Sequence, residues 1–133
     1  MANPFRVLVV EDEPVIRELV RSLLSEDECE VETAPHAADG LKLAKTQTYD
    51  LILLDVVLPA TGSIQLDGVA VCRMLRADPR NAKVPIYMLT AKAKKADVEV
   101  AMKAGANGYI HKPFRGAELL DLVGQLKAKR TAG

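Results

Sequence analysis

The apolar residues of this chain fall into short unbroken runs separated by stretches of helical spacing. Phe5-Arg6-Val7-Leu8-Val9-Val10 and Leu51-Ile52-Leu53-Leu54 show almost no alternation. Runs of that length with no polar face read as strands buried on both sides, as in a parallel sheet covered by helices. Positions 30–34, Ile86-Tyr87-Met88-Leu89 and Tyr109-Ile110-His111 are three further strand candidates. Between them the period changes. Ile16, Leu19, Val20, Leu23 and Leu24 recur at helical spacing and predict a helix from Pro14 to about Ser25. Pro14 suits its first turn, where a missing N–H costs nothing. Pro35 opens a second helix, with Ala37, Ala38, Leu41 and Ala44 facing inward. Val69, Cys72 and Leu75 mark a third that stops before Asp78-Pro79. Val98, Ala101 and Met102 mark a fourth, from about Asp97 to Ala104, and Gly105 suits the position just past its end. Leu119, Leu120, Val123 and Leu126 mark a last helix from Gly116 to Lys129, with the tail from Lys127 onward reading as frayed.

Five strands thus alternate with five helices. Short connections between such elements force parallel strands and right-handed crossovers. The pattern predicts an α/β fold with a doubly wound parallel sheet, helices on both faces and the flavodoxin-like strand order 2-1-3-4-5. At 133 residues the chain suffices for one domain, with a core spanning about 5–128, and is too short for two. No internal repeat or interdomain linker interrupts it.

Composition narrows the function classes. Lys plus Arg and Asp plus Glu number 18 each, so the chain is not a general nucleic-acid or membrane-surface binder. Cys29 and Cys72 have no metal-ligand spacing and form no disulfide framework, which suggests reduced thiols. The sequence shows no signal peptide and no apolar run of about 18 residues, so a cytoplasmic location is the default expectation.

Chemistry concentrates at the predicted strand ends. Glu11-Asp12-Glu13 ends the first strand, Asp55 the third, Thr90-Ala91 the fourth and Lys112-Pro113 the fifth. In the predicted strand order the first and third strands are neighbours, which sets Glu11 and Asp12 beside Asp55. Carboxylates a few ångströms apart cannot all stay ionised without a proton or a cation. Hard oxygen ligands on two loops, with room for water and a phosphate, suit Mg²⁺, with Mn²⁺ as an alternative. Lys112 can pair with Asp55 at rest and with a phosphoryl group later, Thr90 offers a hydroxyl, and small Ala91 leaves the site open. A carboxylate nucleophile, a cation site, a lysine and a hydroxyl make a phosphoryl-transfer constellation. Each piece has an ordinary explanation taken alone. The acidic triplet favours a helix start, Thr90 suits a helix cap, Lys112 a solvated loop and Tyr109 a plain strand position.

Taken together, the motifs Val7-Leu8-Val9-Val10-Glu11-Asp12, Leu53-Leu54-Asp55, Leu58-Pro59, Leu66-Asp67-Gly68, Pro85-Ile86-Tyr87-Met88-Leu89-Thr90-Ala91, Ala104-Gly105-Ala106 and Tyr109-Ile110-His111-Lys112-Pro113-Phe114 resemble the receiver domain of two-component response regulators, of the chemotaxis-regulator kind. The resemblance covers nearly the whole chain. It implies that Asp55 accepts a phosphoryl group from a histidine kinase or a phosphotransfer protein. It implies Mg²⁺ held by Asp12, Asp55 and the carbonyl of Val57, with Glu11 acting through a water. Thr90, Lys112 and the N–H groups of Val56 and Ala91 would hold the phosphoryl oxygens, and Thr90 and Tyr109 would form the switch pair. The output surface would be the fourth helix, fifth strand and fifth helix, facing an effector protein, with no direct nucleic-acid or membrane contact. The chain would act as a monomer or a phosphorylation-dependent dimer, and as a signalling protein that catalyses only its own phosphorylation and dephosphorylation.

Two features depart from the family pattern. Glu11 stands where Asp is frequent. The connection from Asp55 to Gly68 is longer than usual, the excess falling in residues 60–65; it reads first as a tolerated surface insertion, and as a loop leaning over Asp55, with Ile64 as its anchor on the neighbouring helix, in the alternative. Two enzyme or carrier readings fit less well. A haloacid-dehalogenase-type phosphohydrolase needs a second acid two residues after its nucleophile, and that position is Val57. A flavodoxin-like electron carrier needs a Ser/Thr-rich cradle where this chain has Glu11-Asp12-Glu13. A pseudo-receiver usually lacks one of the acid, Asp, Thr or Lys positions, and all are present here.

Overall fold

The computed structural model describes residues 4–58, 66–91 and 94–132, with side chains up to residue 130. Five parallel strands, β1 (Phe5–Val10), β2 (Cys29–Ala34), β3 (Leu51–Asp55), β4 (Ile86–Thr90) and β5 (Gly108–His111), form one sheet in the order β2-β1-β3-β4-β5. They alternate with helices α1 (Pro14–Glu26), α2 (Ala37–Thr46), α3 (Gly68–Ala77), α4 (Lys95–Lys103) and α5 (Gly116–Ala132). The expected doubly wound arrangement and strand order are both present.

The unbroken apolar runs divide by parity between two cores. Val7 and Val9 of β1, with Leu51 and Leu53 of β3, face Val20 and Leu24 of α1 and Leu119, Val123 and Leu126 of α5. Leu8 and Val10, with Ile52 and Leu54, face the opposite layer of α2, α3 and α4, meeting Leu41, Ala44, Val71, Cys72, Leu75 and Ala101. All five residues of β3 are buried, as its composition requires of a central strand. Truncating any of these leucines to alanine should cost about 2–5 kcal/mol. Gly40 lets α2 lie close on the sheet, since a Cβ there would come within 2.7 Å of a Val10 methyl carbon.

Several boundaries differ from expectation. β2 begins at Cys29, one residue early. The second helix begins at Ala37, because Pro35 and an extended His36 (φ −136°, ψ 157°) still belong to the turn. α4 begins at Lys95, two residues ahead of Asp97. Gly105, with φ +111°, does occupy the left-handed position after Ala104 that ends α4. A short 3₁₀ turn, Pro79–Asn81, was not legible in the pattern. It is held by Asp78, whose carboxylate accepts the Arg80 N–H, and by buried Asn81, which donates to the Ala44 carbonyl at 3.0 Å.

The tail expected to fray from Lys127 is helical to Ala132. Its own cations anchor it: Lys127 binds the carbonyl and carboxylate of Asp27, while Arg130 donates to the Pro4 carbonyl and to Asp50 and lies over the Phe5 ring. The expectations for residues 60–65, including the Ile64 anchor, lie outside the described residues.

Candidate functional site at the carboxyl ends of β1, β3, β4 and β5

The carboxyl ends of the strands assemble the predicted residues in one place. Glu11 directly follows β1 and is fixed to the edge of the sheet by its N–H bond to the Ala34 carbonyl, 3.0 Å. Asp55 closes β3 and is 4% exposed, while Glu11 is fully buried. Oxygens of Glu11, Asp12 and Asp55 all lie within 4.8 Å of one another. Into this group comes Lys112, just past β5. Its Nζ is 2.7 Å from Glu11 Oε2, 3.0 Å from Asp55 Oδ2 and 3.9 Å from Glu13 Oε1. The resting partner of Lys112 is therefore not Asp55 alone. Glu11 brings a second carboxylate to the same ammonium.

The charges react to this crowding. Burial, reinforced by the neighbouring Asp55 charge, pushes the Glu11 carboxyl up to about 7, against the hydrogen bonds from Lys112 and the Glu13 N–H that favour its ionised form. Burial alone would lower Lys112, but its bonds to Glu11 and Asp55 and their charges outweigh that, so the net direction is upward.

The other oxygen of Asp55, Oδ1, accepts the Val57 N–H at 2.9 Å. This main-chain donor was not anticipated, since only the Val57 carbonyl was singled out from the sequence. Val56 is half-buried, and its carbonyl accepts the Gly68 N–H at 2.8 Å. Thr90 is fully buried at the end of β4, and its carbonyl accepts the Lys112 N–H at 2.9 Å, so the two are joined through the backbone. Ala91 beside it is exposed. Tyr109 sits one strand further out, level with Met88, half-buried against the α2–α3–α4 core. Burial and the nearby Asp97 charge raise its hydroxyl.

Two contributors escaped the sequence reading. Arg17 donates from Nη1 to the carbonyls of both Glu11 and Asp12, each at 2.9 Å. Gly68 was noted for its spacing only; in the structure a Cβ there would lie 2.0 Å from the Asp55 carbonyl oxygen. The Asp67 carboxylate caps α3 by accepting the Ala70 N–H, but nothing in the pattern signalled that the turn would press on β3.

A cluster of hard oxygens around a displaceable ammonium fits a small divalent cation better than a soft metal. Residues 7–124 match the family model of the response regulator receiver domain, and the chain belongs to that family. The transcriptional regulatory protein CseB of Streptomyces coelicolor is 41% identical over 90% of this chain and 48% of its own length. The DNA-binding response regulator MtrA of Mycolicibacterium smegmatis is 36% identical over 89% of this chain and 48% of its own. The chain thus spans about half the length of these curated relatives. Among solved structures, the chemotaxis response regulator CheY4 of Vibrio cholerae superposes with a TM-score of 0.85 at 28% identity, covering 93% of this chain and 99% of that one. The receiver domain of the sensor histidine kinase PA1611 of Pseudomonas aeruginosa, solved with magnesium coordinated in its active-site cleft, gives 0.82 at 34% identity, covering 93% and 98%. Among the described residues no helix is long and apolar enough to cross a membrane.

Proposed function

We propose that Asp55 is the phosphoacceptor of a single receiver domain that takes a phosphoryl group from a histidine kinase or phosphotransfer protein. The observation that carries this reading is the placement of Asp55 at the end of the central strand. One of its oxygens is held by a main-chain N–H and the other by Lys112, inside a cluster of three carboxylates. Asp12, Asp55 and the Val57 carbonyl would hold Mg²⁺, with Glu11 contributing through water. When bound, the ion neutralises charge on the phosphoryl oxygens and on the attacking carboxylate.

The rest falls to the chain. An Asp55 oxygen attacks phosphorus, the P–N bond to the donor imidazole breaks with its electron pair staying on nitrogen, and the imidazole leaves neutral because its other ring nitrogen carries the proton. Val57 fixes the carboxylate rotamer. Lys112 transfers its charge from the carboxylates to the phosphoryl group, and Thr90 with the N–H groups of Val56 and Ala91 takes the remaining oxygens. Hydrogen bonds of this charge-assisted kind contribute roughly 1.5–3 kcal/mol each. Two of them approach the ~5.5 kcal/mol that moves a two-state element from 1:99 to 99:1. We assign that element to Thr90 and Tyr109, with the α4–β5–α5 surface as the output to an effector protein in the cytoplasm. The test is intact-mass analysis after incubation with acetyl phosphate. One phosphoryl group should add in MgCl₂, none in excess chelator, and none to Asp55→Asn in either. Labelling of the Asn variant at the parent rate sinks the assignment.

A further inference from the structure

Arg17 lies on the first turn of α1, half-buried beneath the acidic loop. Its Nη1 donates to the Glu11 carbonyl and to the Asp12 carbonyl, both at 2.9 Å. These carbonyls lie past Val10, the last residue of β1, and ahead of Pro14, the first of α1, so neither belongs to a strand or helix ladder. Backbone acceptors in such a position need a partner, and a single guanidinium nitrogen supplies it to both. Other bonds of the loop run through the same residues: the Glu13 N–H reaches Glu11 Oε1 at 3.2 Å, and the Arg17 N–H returns to the Glu13 carbonyl at 3.1 Å. Arg17 therefore clamps the main chain of two of the three residues whose carboxylates converge, through their carbonyls and not their carboxylates.

We propose that Arg17 is a positioning residue for the divalent-cation site. By fixing the Glu11 and Asp12 carbonyls it holds the loop in the one conformation that aims both side chains at Asp55. The inference rests on the cation reading given above. It makes a prediction whose sign is not obvious. Arg17 is a cation held against the main chain of the acidic loop, so Coulomb's law alone says that removing it should tighten Mg²⁺ binding. Loss of the clamp says the opposite. Groups that orient metal ligands typically carry about 10–100-fold in affinity, so the clamp should win. Lysine keeps the charge and a donor nitrogen but on a flexible stem without the rigid planar guanidinium, and should restore part of the effect.

The experiment is an NMR titration with MgCl₂ of the parent, Arg17→Ala and Arg17→Lys, together with metal-free amide exchange at Glu13. Arg17→Ala should weaken Mg²⁺ binding about tenfold or more and speed Glu13 exchange about fivefold, with Arg17→Lys near threefold weaker in binding. Should Arg17→Ala not fold, the lysine variant carries the test, and an unchanged affinity overturns the proposal. If Arg17→Ala binds as tightly as the parent or tighter, or if Glu13 exchange is unchanged in it, Arg17 has no positioning role. A parent that ignores MgCl₂ overturns the cation reading instead, which the titration reveals before any variant is compared.

Discussion

Replacing Gly68 by alanine drives a methyl group into the backbone that carries Asp55. The new Cβ would sit 2.0 Å from the Asp55 carbonyl oxygen and 2.8 Å from the Asp55 carbonyl carbon and the Val56 Cα. An ordinary carbon–oxygen approach is about 3.3 Å, so the first contact must open by roughly 1.3 Å. All three neighbours are main-chain atoms at the end of a buried strand, and no side chain can swing aside. Overpacking of this kind costs about 1–3 kcal/mol, and straining the 2.8 Å bond from the Gly68 N–H to the Val56 carbonyl adds about 1. Alanine returns up to about 1 kcal/mol as a better helix former, leaving a net loss of about 1–3. At ~2.1 cal/mol/K per residue, a chain of 133 residues loses about 3.6 °C of melting temperature per kcal/mol, so Gly68→Ala should melt about 4–11 °C lower. Function should suffer more than stability. A displacement near 1 Å at the nucleophile can cost on the order of 100-fold in rate, and acetyl-phosphate labelling should fall at least about tenfold. Calorimetry and a labelling time course read both. A variant that melts within about 2 °C of the parent and labels at the parent rate would show that α3 does not set the position of Asp55.

Three further substitutions probe the rest of the fold. Gly124 lies within α5, and a Cβ added there would meet nothing within 4 Å, so Gly124→Ala should gain about 0.8–1 kcal/mol, seen as a melting temperature about 3 °C higher. Arg130→Ala, which loses the bonds to Pro4 and Asp50 and the Phe5 contact, should lower stability by about 1 kcal/mol in urea titrations and speed amide exchange in the last turns of α5; exchange as slow as the parent's would mean the tail is held by something else. Burial first, and then the nearby Glu32 charge, push the Tyr49 hydroxyl up to about 12, against the opposing Arg6 charge. The fold therefore favours the neutral phenol, the unfolded chain ionises first, and stability falls as pH rises from about 10 to about 12. Measured against Tyr49→Phe, the parent should lose up to about 2–3 kcal/mol across that window and nothing below pH ~9; a constant difference at all pH would contradict the assignment.

Most of the fold was legible because it follows from parity and period. Runs such as Leu51-Ile52-Leu53-Leu54 can be satisfied only between two helical layers, and the position of Asp55 at the end of that run fixed where its chemistry would appear. The site acids and Lys112 were legible for the same reason: each immediately follows or closes a strand, and strand order alone brings them together. What the pattern missed depends on long-range contacts. The α5 tail looked polar and loose, because Lys127 and Arg130 find their partners at Asp27, Pro4 and Asp50, far away in sequence. The roles of Arg17 and the Val57 N–H were invisible because they act through the main chain, whose acceptors and donors carry no residue signature. Pro35 suggested a helix start two residues too early, since proline suits the preceding turn as well as a first helical turn.

If Asp55 takes the phosphoryl group, borohydride trapping reads it out at the residue itself. Borohydride reduces an aspartyl phosphate to homoserine, so peptide mapping after labelling with acetyl phosphate and MgCl₂ reads the acceptor position itself. Homoserine is expected at position 55 alone, and none when MgCl₂ is replaced by chelator. Homoserine at position 12, the corresponding reduced alcohol at position 11, or no trapped residue in a protein that has gained the mass of a phosphoryl group, would contradict the assignment to Asp55.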